Sequence, residues 1–563
     1  MTVLSRLLGA MAGLPPTRNR HVGVVRGLRI PMPDGTVLRA DRWFPDNVAG
    51  NRAPILLTRL PYGRGGLMGL VGRIYAERGY QVLIVSCRGT FGSGGEWVPF
   101  RNERADGVAV FDWLSAQPWF SGRVGLFGAS YFGLTQWAVA GQTPSWVRSM
   151  ALAVTSANFG RFVFPSAGLL ALESATTWLY GLEHQERGLL ARWVAAQRMR
   201  RRKAAAYATL SLDTVDEAAV GHRVDWFQDW LVHDSPDDPW WSEIDFGRDL
   251  DSMPPVSMVA GWYDIFVIEQ LAEFEALRTA GRQARLTVGP WKHASAGTIA
   301  ATFRDALDWA DIHLNEEEHA RERGTRVRVF VMGARRWVDL PDWPPPADSV
   351  AWHLHTEGVL SLEPSKPGRA GRHRYDPAAP TPSVGGRSLD LPLAGPKDNR
   401  RLEARPDVLT YTTDALIEDL TVIGQVRAVL YVTTTVDYTD FFVRLCDVAP
   451  NGRSTNLCDA VVRVTPTEID RQDNGAFPLT ITLSPTANTF ARGHRMRLQI
   501  SGGAHPLYSR NPGSGEPAGK VTTSVPVEHQ ILHDPEHPSR VELPTVGTVR
   551  ATGPLARMRT RWT

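Results

Sequence analysis

Val124-Gly125-Leu126-Phe127-Gly128-Ala129-Ser130-Tyr131-Phe132-Gly133 reads as a strand, a sharp turn and the start of a helix. A short apolar run ends at Gly128, Ser130 stands in the turn, and Leu134 to Ala140 continue with helix-like composition. A serine forced into such a turn projects its hydroxyl away from the backbone, and the residues two places to either side have to be small. Gly128 meets that demand. Phe132 stands where the G-x-S-x-G pattern has its second glycine, and Gly133 comes one place late. The motif is therefore G-x-S-x-x-G, compatible with a nucleophile elbow and equally with an ordinary Gly-Ser turn between strand and helix.

The surroundings favour a parallel sheet. Pro54 to Thr58 and Gln81 to Ser86 are short and almost wholly apolar, with the helix-like Gly69 to Arg78 between them. Such runs mark strands buried on both faces. Asp106 to Ala116 has helical spacing, the elbow strand follows, and Ser149 to Val154 gives another buried strand. Upstream, residues 23 to 44 alternate around Asp34-Gly35 as an antiparallel hairpin. Downstream, strands are expected at Pro255 to Ala260, Arg285 to Val288 and Val327 to Met332, with helices at Glu269 to Thr279 and about Ala301 to Leu314. This alternation predicts a doubly wound α/β domain.

Between residues 158 and 246 the pattern is helical and rich in aromatics, among them Phe159, Phe162, Trp178, Trp226 and Trp230. An all-helical insertion of this kind is expected to cap the mouth of the sheet, with most of its aromatics filling its own core. After Trp343-Pro344-Pro345-Pro346 the composition turns to β-branched alternation with frequent turns. The expected division is 1–157 and 247–349 for the α/β domain, 158–246 for the cap, and 350–563 for a C-terminal jelly-roll β-sandwich.

Composition narrows the function classes. The 563 residues exceed what one core holds, and 43% hydrophobic with 21% charged residues is ordinary for a globular protein. A net charge of +3 gives no case for nucleic acid, and the basic run Arg198 to Lys203 reads as a solvated helix face. Three cysteines, Cys87, Cys446 and Cys458, read as buried thiols of a reducing compartment. Cys446 and Cys458 flank the turn at Pro450 to Arg453, where one residue of register decides whether they face each other. No run has the length of a membrane span or the pattern of a signal peptide, so the cytoplasm is the expected location.

An activated serine needs a base within reach and a carboxylate behind the base. Asp264 in Ala260-Gly261-Trp262-Tyr263-Asp264 and His293 in Gly289-Pro290-Trp291-Lys292-His293 each follow a predicted strand, in the order serine, acid, histidine. Two other motifs carry no such chemistry. His533 and His537 are separated by Pro535, which forbids the helix that would bring both to one metal, and the glycines of Arg88 to Gly95 match no phosphate-binding loop.

Taken together, Met32-Pro33-Asp34-Gly35, Leu60-Pro61-Tyr62, Cys87-Arg88-Gly89, Asp112-Trp113-Leu114, Gln117-Pro118-Trp119, Gly128 to Gly133, Gly261 to Asp264, Gly289 to His293 and Glu536-His537-Pro538-Ser539 resemble a known family. It is the CocE/NonD-like family of α/β hydrolases that contains bacterial cocaine esterase, α-amino-acid ester hydrolases and X-prolyl dipeptidyl peptidases. The resemblance implies a hydrolase of ester or amide bonds with Ser130 as nucleophile, Asp264 as orienting acid and His293 as general base and acid, working through an acyl-enzyme without metal or organic cofactor; the aromatic content of the cap makes a carboxylic-ester hydrolase the expected function. The implied oxyanion hole is the Tyr131 backbone N–H with the Tyr62 hydroxyl. The family's acyl pocket lies under the cap and against a β-domain loop, here Pro382 to Asp390. This makes Leu389, Phe266, Trp178 and Trp262 the expected walls, although Trp262 reads equally well as packing beneath the acid loop.

The partner would be a small ester or amide, with no nucleic acid and no membrane, and with a homodimer left open. An X-prolyl dipeptidyl peptidase, amino-acid ester hydrolase or amide acylase is the alternative. An enzyme that binds an α-ammonium needs buried carboxylates, which Glu173, Glu183, Glu186 or Asp234 to Asp238 would supply. A noncatalytic carbohydrate-binding protein built on the β domain is the remote one.

Overall fold

The computed structural model describes residues 2–46, 52–250, 252–315 and 326–547. Its first sheet has ten strands: β1 (Val22–Pro31), β2 (Val37–Pro45), β3 (Ile55–Leu60), β4 (Gln81–Ser86), β5 (Val124–Ala129), β6 (Val147–Ala153), β7 (Val256–Tyr263), β8 (Ala284–Lys292), β9 (Val327–Val331) and β10 (Arg336–Leu340). They lie in the order β1-β2-β4-β3-β5-β6-β7-β8-β9-β10. Neighbours from β4 through β9 are parallel, and β1, β2 and β10 add antiparallel edges. Every residue of β3, β4 and β7 is buried, as their uninterrupted apolar runs require.

Strand order determines where a ligand fits. Beside β3, the chain first turns to β4 on one side and later returns to β5 on the other. The loops leaving the carboxyl ends of β3 and β5 therefore part company and open a crevice. Tyr62 lies in the first loop and Ser130 in the second.

Between β6 and β7 the chain forms helices, including Phe159–Val163, Leu172–His184, Leu189–Ala208 and Asp225–Val232. From Asp348 to Thr545 it forms a strand-rich domain of thirteen strands, paired antiparallel except for one contact, Val359 with Thr412. The two domains are joined through backbone. The Met332 N–H donates to the Ala487 carbonyl at 2.8 Å, and the Thr489 N–H donates to the Met332 carbonyl at 2.9 Å. Among the described residues no helix is long and apolar enough to cross a membrane.

Three details differ from the sequence reading or settle it. The α/β sheet continues past Met332 into β10, because Gly333 takes a positive φ of 70° in a tight hairpin turn that the periodicity did not reveal. Lys203 is not on a solvated face: it is 4% exposed and its ammonium lies 2.7 Å from Asp390 and 3.5 Å from Glu173. Cys446 and Cys458 are free, buried thiols, displaced from each other by a bulge that pairs Leu445 with Cys458 and Cys446 with Asn456.

Candidate active site

Ser130 follows β5 with φ 56° and ψ −130°, a conformation that a residue with a Cβ adopts only under constraint. The constraint is hydrogen bonding. Its N–H donates to the Ala153 and Val154 carbonyls at 3.0 and 3.1 Å, and its carbonyl accepts from the Thr155 hydroxyl at 2.7 Å. A Cβ on Gly128 would sit 2.3 Å from the Phe132 carbonyl oxygen, and one on Gly133 would sit 2.6 Å from the Thr155 Cβ. Close approach thus falls on residue 133, which explains the late glycine, while the Phe132 ring turns aside to meet Tyr62 edge to face at 6.4 Å.

Asp264 and His293 come to the same point from the ends of β7 and β8. The Asp264 carboxylate, fully buried, accepts from the Phe266 N–H at 2.9 Å and lies 2.8 Å from His293 Nδ1. A carboxylate in this pairing accepts, so Nδ1 carries the proton and Nε2 is left with a lone pair. That lone pair faces Ser130 Oγ at 3.0 Å.

Tyr62 reaches the crevice from the loop after β3, and its hydroxyl oxygen accepts from Trp178 Nε1 at 2.9 Å. Burial pushes the phenol well above its ordinary pKa, against the smaller opposing effects of hydrogen bonds with Trp178 and Ser130. Tyr131 is fixed differently. Its hydroxyl donates to Glu103 at 3.0 Å and accepts from the Phe100 N–H at 2.9 Å. Glu103 is gripped by Arg59 at 3.0 Å, and Arg59 also donates to the Thr135 carbonyl at 2.8 Å, in the helix that begins at Tyr131. Burial raises the Glu103 carboxyl, with Arg59 opposing. Sequence reasoning missed Arg59 and Glu103, which lie outside the motifs it used.

Beside Ser130 is a cavity of about 280 Å³. Phe266, Trp178 and Leu389 line it, as do Phe159, Phe162 and Trp230, which the sequence reading assigned mostly to a cap core. Trp262 does not. It is 1% exposed, still within β7, donates from Nε1 to the Phe330 carbonyl at 2.7 Å and packs on Trp343, so it is structural support rather than pocket wall.

No carboxylate lines the cavity among the described residues. Glu173 accepts from the Ser388 hydroxyl and from the Leu389 and Asp390 N–H groups at 2.8, 3.1 and 3.1 Å. Glu183 meets Arg187 and His222, and Glu186 accepts from the Phe91 N–H. In the acidic run, Asp237 pairs with Arg161 and Asp238 with His233. Among the described residues no group of three His, Cys, Asp or Glu side chains is placed to hold a metal ion.

Residues 34–295 match the X-Pro dipeptidyl-peptidase (S15) family, and residues 319–542 match the X-Pro dipeptidyl-peptidase C-terminal non-catalytic domain. Cocaine esterase of Rhodococcus sp. (strain MB1 Bresler) is 33% identical over an alignment covering 93% of this chain and 99% of the relative. The chain belongs to the S15 family. Like its family, it is a hydrolase of the serine esterase and peptidase class. Two solved structures share the fold of this S15 protein across both domains. An α-amino acid ester hydrolase aligns with a TM-score of 0.78 at 22% identity, covering 95% of this chain and 98% of the other. An aminopeptidase from a marine sediment Thaumarchaeota archaeon gives 0.79 at 20%, with the same coverage.

Proposed function

We propose that this S15-family protein is a carboxylesterase for esters of uncharged aromatic or branched acids, acting through an acyl-enzyme on Ser130. The carrying observation is the cavity beside Ser130, walled by aromatic and aliphatic side chains and free of carboxylates among the described residues. An α-ammonium buried there would lack a counter-charge, whereas an apolar acyl group would gain about 25 cal/mol for each Å² it removes from water.

In this reading His293 Nε2 takes the Ser130 proton as Oγ attacks the ester carbonyl, and Asp264 stabilises the imidazolium that forms. The tetrahedral oxyanion is held by the Tyr131 N–H, a first-turn amide with no intrahelical acceptor, and by the Tyr62 hydroxyl. His293 then passes its proton to the departing alcohol. Water, activated by the same imidazole, attacks the acyl-enzyme and releases the acid and free Ser130. The relative's name, cocaine esterase, supports ester cleavage, and the three buried free thiols are consistent with a cytoplasmic location.

The test compares p-nitrophenyl benzoate, p-nitrophenyl acetate and Gly-Pro-p-nitroanilide. The expected order of kcat/KM is benzoate, then acetate, with the anilide slow, and with all activity lost in Ser130→Ala. Preference for the anilide would overturn the esterase reading, and a fully active Ser130→Ala would overturn the site.

A further inference from the structure

The geometry points to Trp178 as a positioning residue for the reaction, one that aims the Tyr62 hydroxyl while serving as a wall of the acyl cavity. The inference rests on the proposed oxyanion role of Tyr62 and adds to it.

An indole N–H can only donate, so across the 2.9 Å contact the Tyr62 oxygen must accept. A phenol has one O–H. With Trp178 occupying a lone pair, the hydroxyl hydrogen is turned away from the indole, and the Ser130 hydroxyl, on the same cavity, is a polar neighbour of that oxygen. The proton is thereby directed toward the place where charge develops during attack. Accepting one hydrogen bond also strengthens the phenol as donor in a second, because chained hydrogen bonds polarise one another.

Trp178 is well held for such a role. Its ring stacks on Trp230 at 6.0 Å and 5° and on Phe100 at 5.8 Å and 6°, and lies over Tyr131 at 6.2 Å. It belongs to the cap helix Leu172–His184, whereas Tyr62 belongs to the α/β domain. The oxyanion donor is therefore assembled across two units. Since Trp178 also lines the cavity, an acyl group seated there presses on the residue that orients the donor. Acyl fit should then be felt in kcat more than in KM.

The test uses p-nitrophenyl acetate, whose small acyl group makes little use of the aromatic wall. Trp178→Phe keeps a ring and removes the N–H. It should lower kcat by about tenfold with KM within a few-fold, the scale of one neutral hydrogen bond. Replacing Trp178 by benzothienylalanine, which matches the indole in shape and lacks the donor, should give the same loss and guards against a packing artefact. Tyr62→Phe should lose about 10²–10³ in kcat. In the Tyr62→Phe background, the Trp178 change should cost no more than about twofold, because no hydroxyl is left to orient. Multiplying losses in that double variant, or unchanged kcat with benzothienylalanine, overturns the positioning role alone. Full activity in Tyr62→Phe overturns the oxyanion assignment and this inference with it.

Discussion

Replacing Glu173 by glutamine should loosen the cavity beside Ser130, the proposed acyl pocket, without touching Ser130, Asp264 or His293. Glu173 is 1% exposed and lies in the first turn of its cap helix, where it accepts from the Ser388 hydroxyl, two loop N–H groups and the Thr177 hydroxyl, with Lys203 alongside. Removing one partner of a buried ion pair typically costs 3–5 kcal/mol. Lys203 keeps Asp390 at 2.7 Å, and the Asp390 N–H keeps the Ser388 hydroxyl at 3.0 Å, so the loss should fall below that range, at about 2–3 kcal/mol. Because the hydrogen bonds released hold Leu389, the cavity wall should shift with them. Urea melting should show that loss, and the kcat/KM preference for benzoyl over acetyl esters should fall about three- to tenfold, a change of roughly 0.7–1.4 kcal/mol. Labelling of Ser130 by a fluorophosphonate should stay within twofold of the parent rate. A variant with unchanged melting and unchanged acyl preference would refute the latch.

Asp264→Asn should keep the fold and lower kcat by about 10⁴, since an amide favours the wrong imidazole tautomer; a loss under tenfold means that Asp264 is not the working partner. Gly128→Ala, whose Cβ would lie 2.3 Å from the Phe132 carbonyl oxygen, should abolish both turnover and fluorophosphonate labelling; a variant labelled at the parent rate would show that the elbow can open. Acid should destabilise the β domain before it affects most carboxylates. His373 and His529 are buried against each other at 3.1 Å; burial lowers His373 to about 4, against the opposing charge of Asp407, and also holds His529 well below the ordinary imidazole range, with His373 adding to the effect. Above about pH 6.5 both folded and unfolded imidazoles are neutral; below it the unfolded chain binds protons that the folded one refuses, so stability falls as pH falls. His373 alone should lose on the order of 2 kcal/mol by pH 5. Urea midpoints at pH 7 and pH 5 measure this, and a slope unchanged in His373→Gln would exclude the pair as its source.

Legibility in the sequence followed the range of the interaction. β3, β4 and β5 could be placed because a strand buried on both faces has to be apolar throughout, and Asp264 and His293 because each stands just past such a strand. Gly133 was visible as an exception to the elbow pattern, but its reason lies in Thr155, a neighbour two residues past the end of the next strand. The cavity walls were harder to read. Phe159, Phe162 and Trp230 come from cap helices whose sequence reports an apolar face without saying whether it meets other helices or a ligand. Lys203 sat among arginines as though solvated, and only the folded position of Glu173 and Asp390 gives it a buried role. Trp262 shows the opposite failure, since nearness to the acid in sequence suggested the pocket and the strand face took it elsewhere.

Glu173 and Trp178 stand on one helix, five positions apart, or about 7.5 Å along its axis at 1.5 Å per residue. The first is tied to a β-domain loop and the second to the Tyr62 hydroxyl, so this helix links the proposed acyl wall to the proposed oxyanion donor. Loosening the latch and removing the indole donor should therefore differ in kind. Glu173→Gln shifts acyl preference first, because Leu389 moves and the N–H remains; loss of the indole donor lowers kcat even for acetate, because the wall remains and the phenol loses its aim. If both changes produced the same loss on every ester, the helix would be acting only as a scaffold for the cap, and the division of work between its two residues would fail.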